Sequence, residues 1–182
     1  MLNIKKVQEA IIQNKINHNF NTKDLDMEFC LAYGELGEAY IAMLRKLDDL
    51  GEELADTAIY TLGIAELSNL DLTNPIEKKK TTKETIKKGF KNNLNTAFCI
   101  TYSKITDAYS SMKDKSKLEE KLSEIIIYLL CIAELLEIDV ETEIEKKIEK
   151  NSKRVYKEDA KGALVKEECL NEKKWYVKKI FW

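Results

Sequence analysis

Proline, glycine and histidine are scarce in this chain. It contains one proline and six glycines in 182 residues, while 34% of its residues are charged. This composition is typical of a soluble, helix-rich protein rather than a disordered one. The single histidine, His18, excludes a di-iron site of the ferritin type, because such a site needs Glu-x-x-His motifs on two helices.

No strong excess of either charge is present. The chain has 30 basic and 32 acidic side chains and a net charge of -2, which argues against a protein that coats nucleic acid. Its first residues carry no apolar run of signal-peptide length, and no segment reaches the roughly twenty apolar residues of a membrane span. We therefore expect a cytoplasmic protein with no nucleic-acid or membrane partner.

The chain contains an internal duplication. Segment 28–40, EFCLAYGELGEAY, returns at 97–109 as AFCITYSKITDAY, with its apolar and aromatic positions matched. Farther on, at an offset of 68 residues rather than 69, segment 59–67 returns at 127–135. A repeat of this length indicates two fused copies of one unit that share a core.

The two copies differ in charge. Glu35 of the first copy corresponds to Lys104 of the second, and Glu53 corresponds to Lys121. The second copy has therefore kept the apolar residues and lost two acidic ones. This one-sided loss suggests that the carboxylates have a role other than folding.

The cysteines are far apart in the sequence. Cys30 and Cys99 occupy equivalent repeat positions on apolar helix faces, and Cys131 lies in an apolar run. No close Cys-Cys or Cys-His pair is present, so we expect buried thiols rather than zinc ligands or disulfides.

A helical period of apolar residues runs through most of the chain. It predicts an all-α fold with two antiparallel helical hairpins, whose apolar stripes pack as a four-helix bundle core with approximate two-fold symmetry. Near the end, Ala163–Lys166 and Trp175–Trp182 flank a polar turn and favour a small C-terminal β-hairpin. We expect a first repeat at 1–90, a degenerate second repeat at 91–157 and a tail at 158–182.

Several helix starts are marked by short polar residues. Asp24, Asn74 and Asp139 each precede a helical segment, and Pro75 after Asn74 is favoured at a first helical position. The predicted helices are 3–18, 24–46, 50–69, 73–88, 91–112, 115–137 and 139–153.

Four acidic residues are predicted to share one face of the first hairpin. Glu35 and Glu38 lie three residues apart on one helix, and Glu53 and Asp56 have the same spacing on the next. The two pairs can meet across an antiparallel hairpin, where four carboxylates need a counter-ion. A hard divalent cation that keeps several waters and also binds phosphate oxygens fits Mg²⁺, with Mn²⁺ as an alternative.

The alternative interpretation is that these acids are ordinary solvated charges. Any one glutamate in such a composition is expected to face water. The four together, however, are flanked by apolar residues and are altered in only one copy. Gly34 and Gly37 beside them also suggest a close approach of another group. We therefore favour a metal site.

The acidic pattern resembles that of the MazG-like all-α nucleoside triphosphate pyrophosphohydrolases, which include the dimeric dUTPases. The resemblance lies in Glu35-x-x-Glu38 within Gly-Glu-Leu-x-Glu-Ala, and in Glu53-x-x-Asp56 followed by Ala-Ile-Tyr-x-Leu. It covers about residues 5–90 and, in degraded form, 91–157. It implies Mg²⁺-dependent cleavage of a nucleoside triphosphate to the monophosphate and pyrophosphate, with these four acids as metal ligands and catalytic residues.

The family often ends its last helix with a lysine-rich turn that contains Lys-Asn-x-x-Arg. The second copy has this pattern at Lys150, Asn151 and Arg154, after Lys147, whereas the first copy lacks the asparagine and the arginine. The two copies are therefore complementary, and if both parts are needed the chain holds one composite site. In that site Lys147, Lys150, Asn151 and Arg154 of the second copy form a substrate-binding tail, which is distinct from the C-terminal tail at 158–182. The alternative is that Lys150 and Arg154 only stabilise a helix C-terminus.

The sequence thus predicts an enzyme in which Mg²⁺ polarises the α-phosphorus and activates a water. Glu52 or one of the four acids would accept the proton of that water. The competing prediction is a decayed pyrophosphohydrolase that acts as a binding or regulatory scaffold, since the second copy has lost its acids. The base and sugar preference and a homo-oligomeric assembly stay open.

Overall fold

A computed structural model describes residues 2–90, 93–158 and 164–166. Within these residues the chain forms eight α-helices and one two-stranded antiparallel sheet, which confirms the predicted all-α class. No helix in this part of the chain is both long and apolar enough to cross a membrane. The elements are α1 (Ile4–Asn17), α2 (Leu25–Arg45), α3 (Leu50–Leu67), α4 (Thr73–Lys80), α5 (Lys83–Gly89), α6 (Leu94–Ser110), α7 (Lys115–Leu135), α8 (Val140–Ser152), β1 (Tyr156–Glu158) and β2 (Leu164–Lys166).

Polar side chains cap the N-termini of several helices. Asp24 accepts a hydrogen bond from a backbone N–H in the first turn of α2, and Asp139 does the same at α8. Each cap satisfies an N–H group that has no partner within the helix, and both predictions are confirmed. The prediction of Asn74 as an N-cap was wrong, because α4 already begins at Thr73, whose N–H bonds the side chain of Asp71.

The segment predicted as one helix at 73–88 forms two, α4 and α5. The break falls at Thr81 and Thr82, whose hydroxyls donate hydrogen bonds to the carbonyls of Lys78 and Lys79. Threonine side chains that bond nearby backbone carbonyls compete with the helical hydrogen-bond ladder.

Helices α2 and α3 form one hairpin, and α6 and α7 form the other. The hairpins pack face to face, because α2 contacts α6 and α3 contacts α7. Around these four helices, α1 and α8 lie against α3, while α4 and α5 lie against α7. The placement of α8 on α3 brings the end of the second copy to the acidic helix of the first. Large side chains at the centre of the core are Phe29, Leu36, Leu62, Phe98 and Leu122.

The cysteine prediction was correct for one position and wrong for two. Cys131 is buried, and burial raises the pKa of its thiol to about 11. Cys30 and Cys99 are exposed. Phe29 occupies the core face of α2, and a residue one position further along a helix points about 100° away from its neighbour.

A short β-hairpin follows α8. Lys157 lies opposite Val165 in the antiparallel pairing of β1 with β2. The segment predicted as a strand near Leu164–Lys166 is therefore extended, but it pairs with the residues before it. The predicted partner, Trp175–Trp182, lies outside the described residues. Tyr156 of β1 makes edge contacts with the rings of His18 and Phe20, which gives the hairpin a surface to pack on.

Candidate metal centre and adjoining cavity

Three carboxylates converge between α2 and α3. Glu35 and Glu38 of α2 and Glu53 of α3 each offer one oxygen, and the three oxygens lie within 4.8 Å of one another. They meet because the helices are antiparallel neighbours and residues three apart project from the same helix face. Oxygen ligands about 2.0–2.6 Å from a divalent ion lie at most about 5 Å apart. The spacing therefore fits a single hard cation.

These acids are largely removed from water. Glu35 is 4% exposed and Glu53 is 8% exposed, while Glu38 is half-buried. Charged side chains are rarely buried to this extent, because the loss of hydration destabilises the ionised form. The interpretation of ordinary solvated helix charges is therefore wrong for Glu35 and Glu53.

Asp56 lies one turn beyond Glu53 and is also buried, but the structure does not bring it into the three-carboxylate group. Its Oδ2 atom lies 2.7 Å from the Nζ atom of Lys147 on α8. The prediction of four converging acids is thus realised for three of them. The attraction between Asp56 and a buried ammonium group accounts for the position of the fourth.

Two lysines of α8 reach α3. Lys147 is 6% exposed, and its Nζ atom lies 3.2 Å from Glu52 as well as close to Asp56. Lys150 lies 2.8 Å from the same Glu52 oxygen. Burial would lower the pKa of Lys147, but the charges of Asp56 and Glu52 outweigh burial and hold the pKa above its usual value. Lys147 is therefore charged near neutral pH.

Glu52 is a poor candidate for the general base. The hydrogen bond from Lys150, together with the charge of Lys147, lowers the pKa of Glu52 to about 2. A carboxylate of such low basicity accepts a proton inefficiently near neutral pH. The sequence left open whether Glu52 or one of the four acids accepts the proton of the water, and the structure disfavours Glu52.

A cavity of about 70 Å³ opens beside Asp56, between α1, α3 and the end of α8. The tail residues Asn151 and Arg154 line it, and Nη1 of Arg154 donates a hydrogen bond to Oδ1 of Asn151. The structure therefore brings two tail residues of the second copy to the same cavity as an acid of the first. Apolar and aromatic side chains form much of the remaining wall, namely Phe20, Ile59, Tyr60, Ile148 and Tyr156.

Two polar atoms at this cavity are buried without a hydrogen-bond partner among the described residues. They are Oδ1 of Asn14 and Nε of Arg154. Buried polar atoms usually have partners, and each unsatisfied one costs about 1–3 kcal/mol. The cavity therefore offers one acceptor and one donor to a bound molecule.

Asn14 and Phe20 were not predicted as cavity residues from the sequence. Neither belongs to the repeat or to the acidic pattern, and only the packing of α1 on α3 brings them to the cavity. A buried ion pair anchors α1 at this place, since Nζ of Lys15 lies 2.8 Å from both carboxylate oxygens of Glu28. The only sign of this ion pair in the sequence is that Glu28 lies seven residues before Glu35 and therefore on the same face of α2.

The glycines beside the acids have different surroundings. A Cβ atom at Gly37 would lie 3.2 Å from the hydroxyl of Tyr102, so α2 and α6 do approach closely there. At Gly34, no atom of the described residues lies within 4 Å of such a Cβ atom. The expected close approach is confirmed for Gly37 only.

No protein-family model matches this chain, and neither a curated protein nor a solved structure does.

Proposed function

We propose that this chain is a Mg²⁺-dependent nucleoside triphosphate pyrophosphohydrolase with one composite site. The observation that carries the proposal is the convergence of Glu35, Glu38 and Glu53 one helical turn from a cavity lined by Asn151 and Arg154. The acids belong to the first copy and the tail belongs to the second. The sequence resemblance to the MazG-like pyrophosphohydrolases supports the same assignment, with a monophosphate and pyrophosphate as products.

The donor set fits a hard divalent cation. Carboxylate oxygens are the ligands that Mg²⁺ and Mn²⁺ prefer. Three carboxylates whose oxygens lie within 4.8 Å of one another repel each other when ionised, and a nearby positive charge relieves this repulsion. Glu35, Glu38 and Glu53 would hold the ion. When bound, it would polarise phosphate oxygens and lower the pKa of a coordinated water.

The cations of α8 and the segment after it are the groups that would bind the phosphates. Lys147 and Lys150 supply ammonium charge, and the guanidinium of Arg154 can bond two phosphate oxygens at once. Asp56 holds the ammonium of Lys147 in place through their buried contact. We therefore assign Asp56 a positioning role through Lys147.

The proton of the attacking water needs an acceptor, and the candidates are Glu52 and the three converging acids themselves. Glu52 is disfavoured because two lysines hold its pKa at about 2. Glu38 is the most exposed of the three converging carboxylates, so water reaches it most easily. We assign Glu38 as the acceptor.

The cavity beside Asp56 suits the nucleoside end of the substrate. Oδ1 of Asn14 and Nε of Arg154 can bond the edge of a base, and the rings of Phe20 and Tyr156 can contact its faces or edges. A cavity of about 150 Å³ holds benzene, whereas this one measures about 70 Å³. A single-ring pyrimidine therefore displaces the walls less than a purine does, and we propose a preference for pyrimidines.

We also infer a MazG-like pseudo-two-fold relation between the copies. Lys147 contacts Asp56 in one half, and Lys79 contacts Glu124 in the other. Lys79 precedes Lys147 by 68 positions, and Glu124 follows Asp56 by 68 positions. The lysine and the acid have thus exchanged copies between the two pairs. Such a reciprocal exchange of lysines is what two-fold packing of equivalent units produces.

The alternative function is a decayed pyrophosphohydrolase that binds ligands without turnover. Two observations favour it, namely the loss of acids in the second copy and the engagement of Asp56 by Lys147. Release of pyrophosphate from a panel of deoxynucleoside triphosphates, with Mg²⁺ and with EDTA, separates the two functions. Turnover that requires Mg²⁺ and is fastest with a pyrimidine supports the enzyme, whereas binding without turnover supports the scaffold.

A further inference from the structure

A second cavity lies at the equivalent place in the second copy. It measures about 310 Å³ and lies between the junction of α4 with α5 and the helices α6 and α7. Its position follows the duplication closely. Three residues of α7 that line it are the repeat counterparts, 68 positions later, of residues that line the first cavity. These counterparts are Glu124 for Asp56, Ile127 for Ile59 and Tyr128 for Tyr60.

At this second cavity a lysine stands where the first copy has a glutamate. Lys104 occupies the repeat position of Glu35, and its Nζ atom lies 3.1 Å from Oε2 of Glu124. Lys79 lies 3.3 Å from the other oxygen of Glu124, and Lys121 lies 3.5 Å from Oε2. One carboxylate therefore faces three ammonium groups.

Two further acids among the described residues lie near these lysines, and both are more exposed than Glu124. Glu120 lies 3.8 Å from Lys79, and Asp107 lies 4.0 Å from Lys104. Both carboxylates are about half exposed, at 53% and 48%, so water screens their contribution. Within the cavity wall itself, Lys79 and Lys104 outnumber Glu124.

The remaining wall is suited to a ligand with a polar and an apolar part. Thr82 and Thr85 place hydroxyl-bearing side chains along the wall, and Ile86, Ile127 and Tyr128 add apolar surface. Nζ of Lys104 lies 5.6 Å from the centre of the Tyr128 ring. The cationic and aromatic surfaces are therefore adjacent.

We propose that this second cavity binds an organic phosphate, a phosphate monoester that carries a small ring, without a metal ion. Lys79 and Lys104 supply the positive charge that a divalent cation would supply in the first half. Ile127 and Tyr128 contact the ring, as their counterparts Ile59 and Tyr60 line the first cavity. A nucleoside monophosphate has this chemistry. The proposal does not require the first half to be catalytic.

The test is calorimetric titration of the full-length protein in EDTA with nucleoside monophosphates and, separately, with inorganic phosphate. We expect a monophosphate to bind, and we expect Lys104→Met to weaken its affinity at least tenfold, because a charge-assisted phosphate contact is lost. Lys104→Arg should retain most of the affinity. Lys146→Ala is the matched control, since it removes one exposed lysine from α8.

Three results would overturn the proposal. The first is the absence of binding in EDTA by a wild-type protein with a normal unfolding midpoint. The second is inorganic phosphate binding as tightly as the monophosphates, which would show that the ring is not recognised. The third is binding that Arg154→Ala removes and Lys104→Met leaves intact, because that pattern would place the ligand in the first cavity. Should the Lys104 variants unfold, Lys79→Ala replaces them in the test, and the same loss of at least tenfold in affinity is expected.

Discussion

Lys147 and Asp56 form a buried ion pair across the two copies of the repeat, with Nζ 2.7 Å from Oδ2 and both side chains less than a tenth exposed. The pair joins α8 to α3 and so fixes the tail of the second copy beside the acids of the first. Removal of one member of such a pair leaves a buried charge without its partner. The proposed composite site and the stability of the fold therefore both depend on this contact.

The first prediction concerns this ion pair. Lys147→Met and Asp56→Asn should each lower the free energy of unfolding by about 3 kcal/mol, because each breaks a buried pair. The double variant should lose clearly less than the sum of the two single losses. Urea unfolding of the four proteins measures this coupling. Additive losses would contradict an energetically important contact between the two side chains.

The second prediction concerns the metal. Glu38→Gln should abolish Mg²⁺-dependent hydrolysis and weaken Mn²⁺ binding at least tenfold, because it removes one of three anionic ligands. The fold should persist, since the change also relieves repulsion between carboxylates. Calorimetric Mn²⁺ titration and circular dichroism measure the two effects.

Glu145→Gln is the matched control for this test. It makes the same chemical change at an exposed position of α8, and it should leave both metal binding and turnover unchanged. Normal Mn²⁺ binding by the Glu38→Gln protein would remove the metal assignment, whatever its hydrolytic activity.

Local sequence signals predicted the scaffold of the site well. The 3.6-residue period identified α2, α3, α6 and α7, and Asp24 and Asp139 are caps where short polar residues precede an apolar segment. The sequence also predicted that the carboxylates of Glu35, Glu38 and Glu53 lie together. This convergence depends only on the helical period and on the pairing of two helices in one hairpin. These features depend on neighbours within a single hairpin.

Features that depend on packing between distant elements were missed. Asp56 was expected to converge with the other three acids, but α8 packs on α3 and places Lys147 against it. Asn14 carries no local pattern, and only the contact of α1 with α3 brings it to the cavity. The break between α4 and α5 at Thr81 is also not indicated by the helical period, and both helices pack on α7.

The third prediction concerns pH. Burial would raise the pKa of Glu124, but the hydrogen bond and charge of Lys104 outweigh it and hold the pKa below its usual value of 4.5. A carboxyl whose pKa is lowered by folding stabilises the protein fully above its unfolded pKa, and this contribution is lost as pH falls through the folded pKa. Glu124→Gln should therefore lower the unfolding free energy near neutral pH, and the difference from wild type should shrink below about pH 4.5.

Chemical unfolding of both proteins across the acidic range measures this difference. The control is Glu145→Gln, which makes the same chemical change at an exposed position of α8. A difference that stays constant through the acidic range would contradict the assignment of Glu124 as a charged partner of the lysines.

The last prediction concerns the composite site. If Arg154 contacts the bound nucleotide from the cavity beside Asp56, Arg154→Ala should weaken substrate binding by about 1–3 kcal/mol, because a charge-assisted contact is lost. Ile86 occupies the equivalent repeat position in the first copy, so Ile86→Ala should change stability through packing and leave KM unchanged. Steady-state kinetics with the preferred triphosphate and urea unfolding of both variants separate the two effects. An Arg154→Ala enzyme with wild-type KM and kcat would restrict the tail to a structural role at the end of α8, and the second copy would then contribute no substrate contact through this arginine.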